Sequence, residues 1–457
     1  VITVVGGGFA GVEAAWTLAS RGHGVRLFEM RPAATTPAHT TAHLAELVCS
    51  NSFKSKNPSS PAGLLKAEMT ALGSLILALA LEHEVPGGEA LAVDRERFGA
   101  AVTAAIEAHP RIELVRRPFA PEMIAGPTIL ATGPLTTPDL AACLAQITGR
   151  ERLYFYDAVS PVVAAASIDR SIAFEQSRYG KGGDGAYLNC PFDKAEYEAF
   201  VAALATAERA PVHAFEAGGR RDGERDGELE ERLLEKVRYF AGCQPIEAIA
   251  EKGAQSLAFG NFKPVGLTDP RTGRRPWAAL QLRPENRERT LYSMVACQTR
   301  LKWGEQRRVF RMVPGLSRAE FVRYGVIHRN TYLDAPRCLT PQLELRERRG
   351  LWVAGQLTGV EGYVESAAMG IWAGLATATR VEGRPLTAPP RATALGSLLA
   401  HLQDPTPRDF APMNVNWGLL PEPEPRPRSK SQVREAKLAA AREAFAGWLV
   451  AEGLLRA

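Results

Sequence analysis

A glycine run set between two apolar segments constrains this chain more than any other feature. Val1 to Val5 is a short β-branched run, Gly6-Gly7-Gly8-Phe9-Ala10-Gly11 follows, Phe9 to Arg21 has helical spacing, and Val25 to Met30 is apolar again. Strand, turn, helix and strand in this order predict the start of a doubly wound sheet. In such a loop Gly6 makes the tight turn, Gly8 lets the main chain approach a pyrophosphate, and Gly11 lets helix and strand pack closely. The helix N-terminus adds N–H groups and a favourable dipole. Glu29 closes the second strand, where a carboxylate can accept from an adenosine ribose and disfavours a 2′-phosphate. Gly7, Phe9, Ala10 and Arg31 complete this set of cofactor-binding candidates.

Two later segments repeat the motif of a buried strand ending in glycine: Thr128 to Gly133 and Leu351 to Gly355. Taken singly, each also reads as a core strand and a turn. Together they converge on the edge that carries Gly6, a closure that suits a resident FAD better than NAD. Gly133, Gly355, Gln356, Val360 and Glu361 therefore join the cofactor candidates. The expected fold is α/β, a Rossmann-like FAD-binding domain with an inserted second α/β domain and a C-terminal helical tail. Residues 1–150 form the first part of the FAD-binding domain, 151–320 the insert, 321–383 the closing part, and 384–457 Pro-rich segments and a helix. Helices are expected over 62–83 as one piece, about 362–382, about 432–452, and in the charged stretch 224–240.

The 457 residues are 46 % hydrophobic and 23 % charged, ordinary values for a globular chain. The apolar run Leu75–Leu81 is far shorter than the ~18–20 residues of a membrane span. With no signal-like N-terminus, the expectation is a cytoplasmic protein that meets no membrane and needs no protein partner. Six cysteines without C-x-x-C or Cys/His spacing argue against a disulfide scaffold or a metal site. The net charge of +5 is concentrated: Thr268 to Arg311 holds eleven Lys/Arg against four Asp/Glu. That suits either a polyanion-binding surface or a set of solvated loops and ion pairs.

Five further segments carry a closer likeness. Leu44 to Ser52 with Cys49, Gly242-Cys243-Gln244-Pro245-Ile246-Glu247, His328 to Tyr332, Gly359-Val360-Glu361-Gly362-Tyr363, and Pro412 to Gly418 occur in that order. Across nearly the whole chain this resembles the folate/FAD-dependent tRNA (uracil-5-)-methyltransferases, the TrmFO family. The related MnmG flavoproteins share mainly the flavin-binding part. The resemblance implies methylation at C5 of the T-loop uridine, position 54 of tRNA. Carbon would come from 5,10-methylenetetrahydrofolate, and reducing equivalents from NADH or NADPH through FAD.

C5 of uracil is a poor nucleophile, and a thiolate adding at C6 activates it. The resemblance assigns that thiolate to Cys243, where the bland reading is an inert buried thiol. It places Cys49 near the flavin, where it either removes the C5 proton or protects the flavin-borne carbon. Asn51 in the same motif either positions substrate or caps a helix. His328, Arg329 and Asn330 are candidates to contact folate or the flavin edge, against a reading as satisfied or solvated polar groups. In the basic segment Arg271, Arg274, Arg275, Arg283, Arg287 and Arg289, with Lys302, Arg307 and Arg308, are candidates to follow tRNA phosphates. Trp277 or Trp303 is available for stacking. The competing readings are a flavin/NAD(P)H oxidoreductase acting on a small molecule or disulfide through Cys49, and a non-catalytic tRNA-binding flavoprotein.

Overall fold

The computed structural model describes residues 1–36, 38–149, 153–180, 187–210, 244–406 and 410–454, with the backbone alone described at 153–158 and 327–329. Cys243 and the charged stretch 224–240 lie outside the described residues.

Strand β1 (Ile2–Val5) is the centre of a five-stranded parallel sheet, with β2 (Val25–Glu29) and then Ile112–Arg116 on one side, Thr128–Leu130 and then Leu351–Val353 on the other. Thr3 lies opposite both Arg26 and Thr128. Because every strand is parallel, their carboxyl ends bring Gly6, Glu29, Ala131 and Ala354 to one edge, the ligand edge of an open α/β sheet. Apolar side chains cover both faces, as a parallel sheet requires.

Helix α1 (Phe9–Ala19) packs along the helix Tyr363–Val381, and the approach is backbone to backbone: a Cβ on Gly370 would lie 2.2 Å from Ala10 O. The partner helix is buried nearly all round, and the indole N–H of its Trp372 donates to Pro341 O at 2.9 Å. Burying side chains of this size contributes roughly 1.5–3 kcal/mol each.

The single helix expected over 62–83 is instead two, Pro61–Ala71 and Leu75–Glu82, bent by 113°. Gly73 takes a left-handed φ of +83°, and Ser74 caps the second piece by accepting Leu77 N–H at 3.1 Å. The buried carboxylate of Glu13, from α1, then accepts Ile76 N–H at 3.0 Å and the Ser74 hydroxyl. A carboxyl oxygen at a helix N-terminus accepts from the orphan donors, and here it comes from another helix. No single helix among the described residues is long and apolar enough to cross a membrane.

A second core is built on a six-stranded antiparallel sheet, ordered Phe174–Glu175, Leu188–Phe192, Ala278–Pro284, Leu291–Met294, Val162–Ala164 and Phe321–Arg323. The helix Lys194–Thr206 buries Tyr197, Phe200 and Leu204 against it. The strands Leu153–Ala158 and Ile327–Tyr332 pair antiparallel, with Leu153 opposite Tyr332, and carry the chain out of the first core and back. The last helix, Lys430–Ala451, returns to the first core through Leu438, Ala441, Phe445 and Trp448.

Candidate functional site

The glycine loop sits at the carboxyl end of β1. Gly6 has a φ of +103°, and a Cβ there would lie 2.5 Å from Ala131 O; one on Gly11 would lie 1.7 Å from Gly6 O. Both positions exclude a side chain. Gly8 differs, because a Cβ there meets nothing within 4 Å and no side chain caps α1. The open space is a cleft, and the loop and the first residues of α1 line it. A cradle that a Cβ would fill, at an uncapped helix N-terminus, is what a pyrophosphate requires.

One end of this cleft is a buried charge relay. Glu29 accepts Gly7 N–H at 2.9 Å and Arg31 Nε at 2.8 Å, while Arg31 Nη1 donates to Glu46 at 2.7 Å. Burial works to raise the Glu29 pKa, but the Arg31 hydrogen bond and charge outweigh it and hold the carboxyl below its usual range. Gly133, Gly355 and Gln356 line the same cleft, and Tyr363 lies toward its other end. Val360 does not line it: fully buried, it bridges Met413 in a parallel pair. Glu361 does not line it either and faces the second cleft, whereas the others fit FAD, with Gly8 and α1 toward a pyrophosphate, Glu29 and Arg31 toward an adenosine end, and Gly355 and Gln356 toward a flavin end.

A second cleft opens from the first and shares Val48, Pro134, Leu135, Gln356 and Tyr363 with it. Cys49, Lys54, Asn330, Glu361, Asn414 and Gln298 also line it. Separated motifs meet here. Tyr363 Oη accepts Cys49 N–H at 2.7 Å, Glu361 N–H donates to Met413 O at 2.9 Å, and Ile246 N–H donates to Gln298 O at 2.7 Å. Lys54, at a left-handed φ of +62°, reaches the fully buried Glu365 at 2.6 Å, and Glu365 also accepts Val415 N–H at 3.0 Å. Asn330 is buried at the wall, while of His328 and Arg329 only the strand register is described, opposite Asp157 and Tyr156.

Three guanidinium groups gather behind Cys49. Arg95 pairs with Glu285 and donates to Leu47 O and, at 3.3 Å, to Cys49 O; Arg323 reaches the same carbonyl at 3.5 Å. Burial, aided by the neighbouring Arg95 charge, pushes Arg323 down to about 10. Burial works to raise the Glu285 pKa, but Arg95 outweighs it, with help from Arg323 and Arg283, and keeps Glu285 ionised. Arg95 and Glu285 had no local signal as site residues, because they are 190 residues apart and each is explained only by the other.

The structure corrects several sequence expectations. Asn51 has no exposed surface; its Nδ2 donates to Val93 O and Pro284 O and its Oδ1 accepts from Arg283 Nε at 2.8 Å, so it joins the two cores and does not face substrate. Arg283 is buried by that contact. Arg287 donates to Glu82 O across the same junction and Arg271 is paired with Asp269, but both arginines stay exposed. Arg274 and Arg275 are exposed as well.

The chain matches the family model described as Glucose inhibited division protein A over residues 1–385. It is 52 % identical over 420 residues to the methylenetetrahydrofolate--tRNA-(uracil-5-)-methyltransferase TrmFO of Moorella thermoacetica, covering 92 % of each chain. It is 51 % identical over 454 residues to the enzyme of that name from Desulforudis audaxviator, covering 99 % of each. Among solved structures, GidA of Aquifex aeolicus superposes with a TM-score of 0.67 at 16 % identity, over all of this chain and 74 % of that one, a likeness of fold.

Proposed function

The chain belongs to the TrmFO family of methylenetetrahydrofolate--tRNA-(uracil-5-)-methyltransferases, within the wider GidA family, and from that premise we propose how its residues divide the work. It is a flavoprotein that transfers a one-carbon unit from methylenetetrahydrofolate to C5 of a tRNA uridine. The target is the T-loop uridine at position 54, and NADH or NADPH is the reductant. A tRNA substrate assigns the enzyme to the cytoplasm.

When bound, FAD supplies the redox chemistry that converts a folate-borne methylene to a methyl group. The protein's own part begins with holding: Gly8 and the N-terminus of α1 take the pyrophosphate, the Glu29–Arg31 pair the adenosine end, and Gly355 with Gln356 the flavin end. Cys243 adds as thiolate to C6 of the uracil, forming a C–S bond and moving the π electrons onto C5 and O4. C5 then forms its bond to the donated methylene carbon, the C5 proton leaves to a base as the bond between that carbon and its carrier nitrogen breaks, and a hydride equivalent drawn from NADH or NADPH reaches the exocyclic carbon as the C–S bond breaks to regenerate the thiolate. Cys49 faces the cleft in which this occurs.

The observation that carries this reading is the second cleft, where the Cys49 loop, Asn330, Tyr363 and Asn414 meet Gln298, the residue that anchors Ile246. The test is to incubate the purified enzyme with isotope-labelled methylenetetrahydrofolate, NADPH and unmodified tRNA, then map the product by mass. Label in 5-methyluridine at position 54 supports the reading. NADPH oxidation with no label in RNA would leave an oxidoreductase.

A further inference from the structure

We propose that Trp303 and Tyr324 form a platform on which an unpaired base of the tRNA stacks at the mouth of the second cleft, with Arg307 taking an adjacent phosphate. This rests on tRNA being the substrate and adds where the RNA sits. Three rings lie nearly parallel: Trp303 and Tyr324 have centroids 5.4 Å apart and planes inclined by 13°, and Tyr324 and Phe321 are 5.3 Å apart at 7°. The stack ends in solvent, since Trp303 is 62 % exposed. An indole is more often buried, and an open face continuing a ring stack offers the next stacking position to another flat π-system.

The platform is held rigidly. Gln306, fully buried, donates to Leu301 O at 2.7 Å and Gly325 O at 2.8 Å and accepts Gly325 N–H at 2.7 Å, locking the helix Trp303–Phe310 to the turn that carries Tyr324. That turn is wedged against the cleft wall: a Cβ on Gly325 would lie 2.6 Å from Val159 O, and Val159 lines the second cleft. The residue before Tyr324 is Arg323, which reaches Cys49 O. The platform is thus joined through Gly325 and Val159 to the wall of the second cleft.

The charge around the stack suits RNA. Arg307 donates to Tyr324 Oη at 3.2 and 2.8 Å and, among the described residues, meets no carboxylate. Lys302 pairs with Glu208 and Arg308 with the half-buried Glu305, and the cations of both pairs are exposed, where such pairs contribute little. A flat ring beside a guanidinium is how sequence-tolerant single-stranded RNA sites are built, and splayed loop bases are what such sites take.

The test compares wild type with Trp303→Ala, Trp303→Phe and Arg307→Ala, each checked for FAD content and thermal midpoint. Stacking is worth ~1–3 kcal/mol per base, so Trp303→Ala should raise Kd and KM for tRNA about tenfold, within a range of ~5–150-fold. Trp303→Phe should recover most of that loss while abolishing part of the tRNA-dependent quenching of indole emission. Arg307→Ala should lower the slope of log Kd against log salt by about one. Wild-type tRNA affinity in Trp303→Ala, with the wild type still methylating tRNA, would overturn the platform and leave the enzymatic reading standing. So would unchanged tRNA affinity with an altered sedimentation coefficient, which would make the patch a protein contact. A wild type that neither binds nor methylates tRNA would remove both.

Discussion

The phenol oxygen of Tyr363 accepts the backbone N–H of Cys49 at 2.7 Å and that of Ser50 at 3.3 Å, tying a loop near the start of the chain to a helix 314 residues later. The same ring lies 4.7 Å from Phe9, inclined by 26°. Tyr363→Phe keeps the stacking and loses both acceptances, each worth about 1 kcal/mol net. The expected outcome is retained FAD with methyl transfer slowed about tenfold in single turnover. An unchanged rate would mean that the loop needs no such restraint.

Gly8 and Gly11 should fail differently. Gly8→Val places its side chain in open space, so the protein should fold with the thermal midpoint of the wild-type apoprotein and purify colourless. Gly11→Ala puts a methyl 1.7 Å from Gly6 O, which only a backbone shift can relieve. It should cost on the order of 1–3 kcal/mol by overpacking before any question of cofactor arises. Absorbance at the flavin band and calorimetry separate the two, and a yellow Gly8→Val protein would contradict the loop's role.

Burial pushes Glu13 up to about 7, against the hydrogen bonds from Ser74, Ile76 and Leu75 that work to lower it. A carboxyl raised in the folded state stabilises fully below its unfolded pKa, near 4.5, and that contribution is lost as pH rises to about 7. The stability difference between wild type and Glu13→Gln should therefore shift against wild type between pH 4.5 and 7 by up to about 3 kcal/mol. It should be flat above pH 8. A difference independent of pH would show that Glu13 ionises at its ordinary value.

Short-range pattern carried much of the fold. The loop at Gly6, the strands at Thr128 and Leu351 and the helix after Gly362 were all legible because each is a local period ended by glycine. The helix break at Gly73 was also local, a glycine followed by a capping serine, but the apolar run of Leu75–Leu81 masked it. Asn51 misled for a physical reason: a polar residue in a cysteine motif looks like a substrate contact until its partners, Arg283 and Pro284, are seen across the junction of two cores. Arg95, Glu285 and Glu13 share that difficulty, since a buried charge is explained only by a partner that the fold supplies.

Among the arginines of the basic segment, Arg274, Arg275 and Arg287 are all exposed, and Arg287 also donates to Glu82 O across the junction. Arg274→Glu with Arg275→Glu should weaken tRNA binding and flatten its salt dependence by about two. Arg287→Ala should instead lower the thermal midpoint and leave the slope alone. Filter binding across a salt series reads both, and an unchanged slope in the double variant would put the phosphate contacts elsewhere.

The central claim is that Cys243 activates the uridine by covalent addition, and a tRNA carrying 5-fluorouridine at position 54 tests it most directly. Fluorine leaves no removable proton at C5, so transfer should stall with protein and RNA joined. Protease digestion and mass analysis should find the nucleotide on the peptide containing Cys243, with no such complex from Cys243→Ala and an intact one from Trp303→Phe. Attachment at Cys49, or methyl transfer by Cys243→Ala at the wild-type rate, would contradict the assignment.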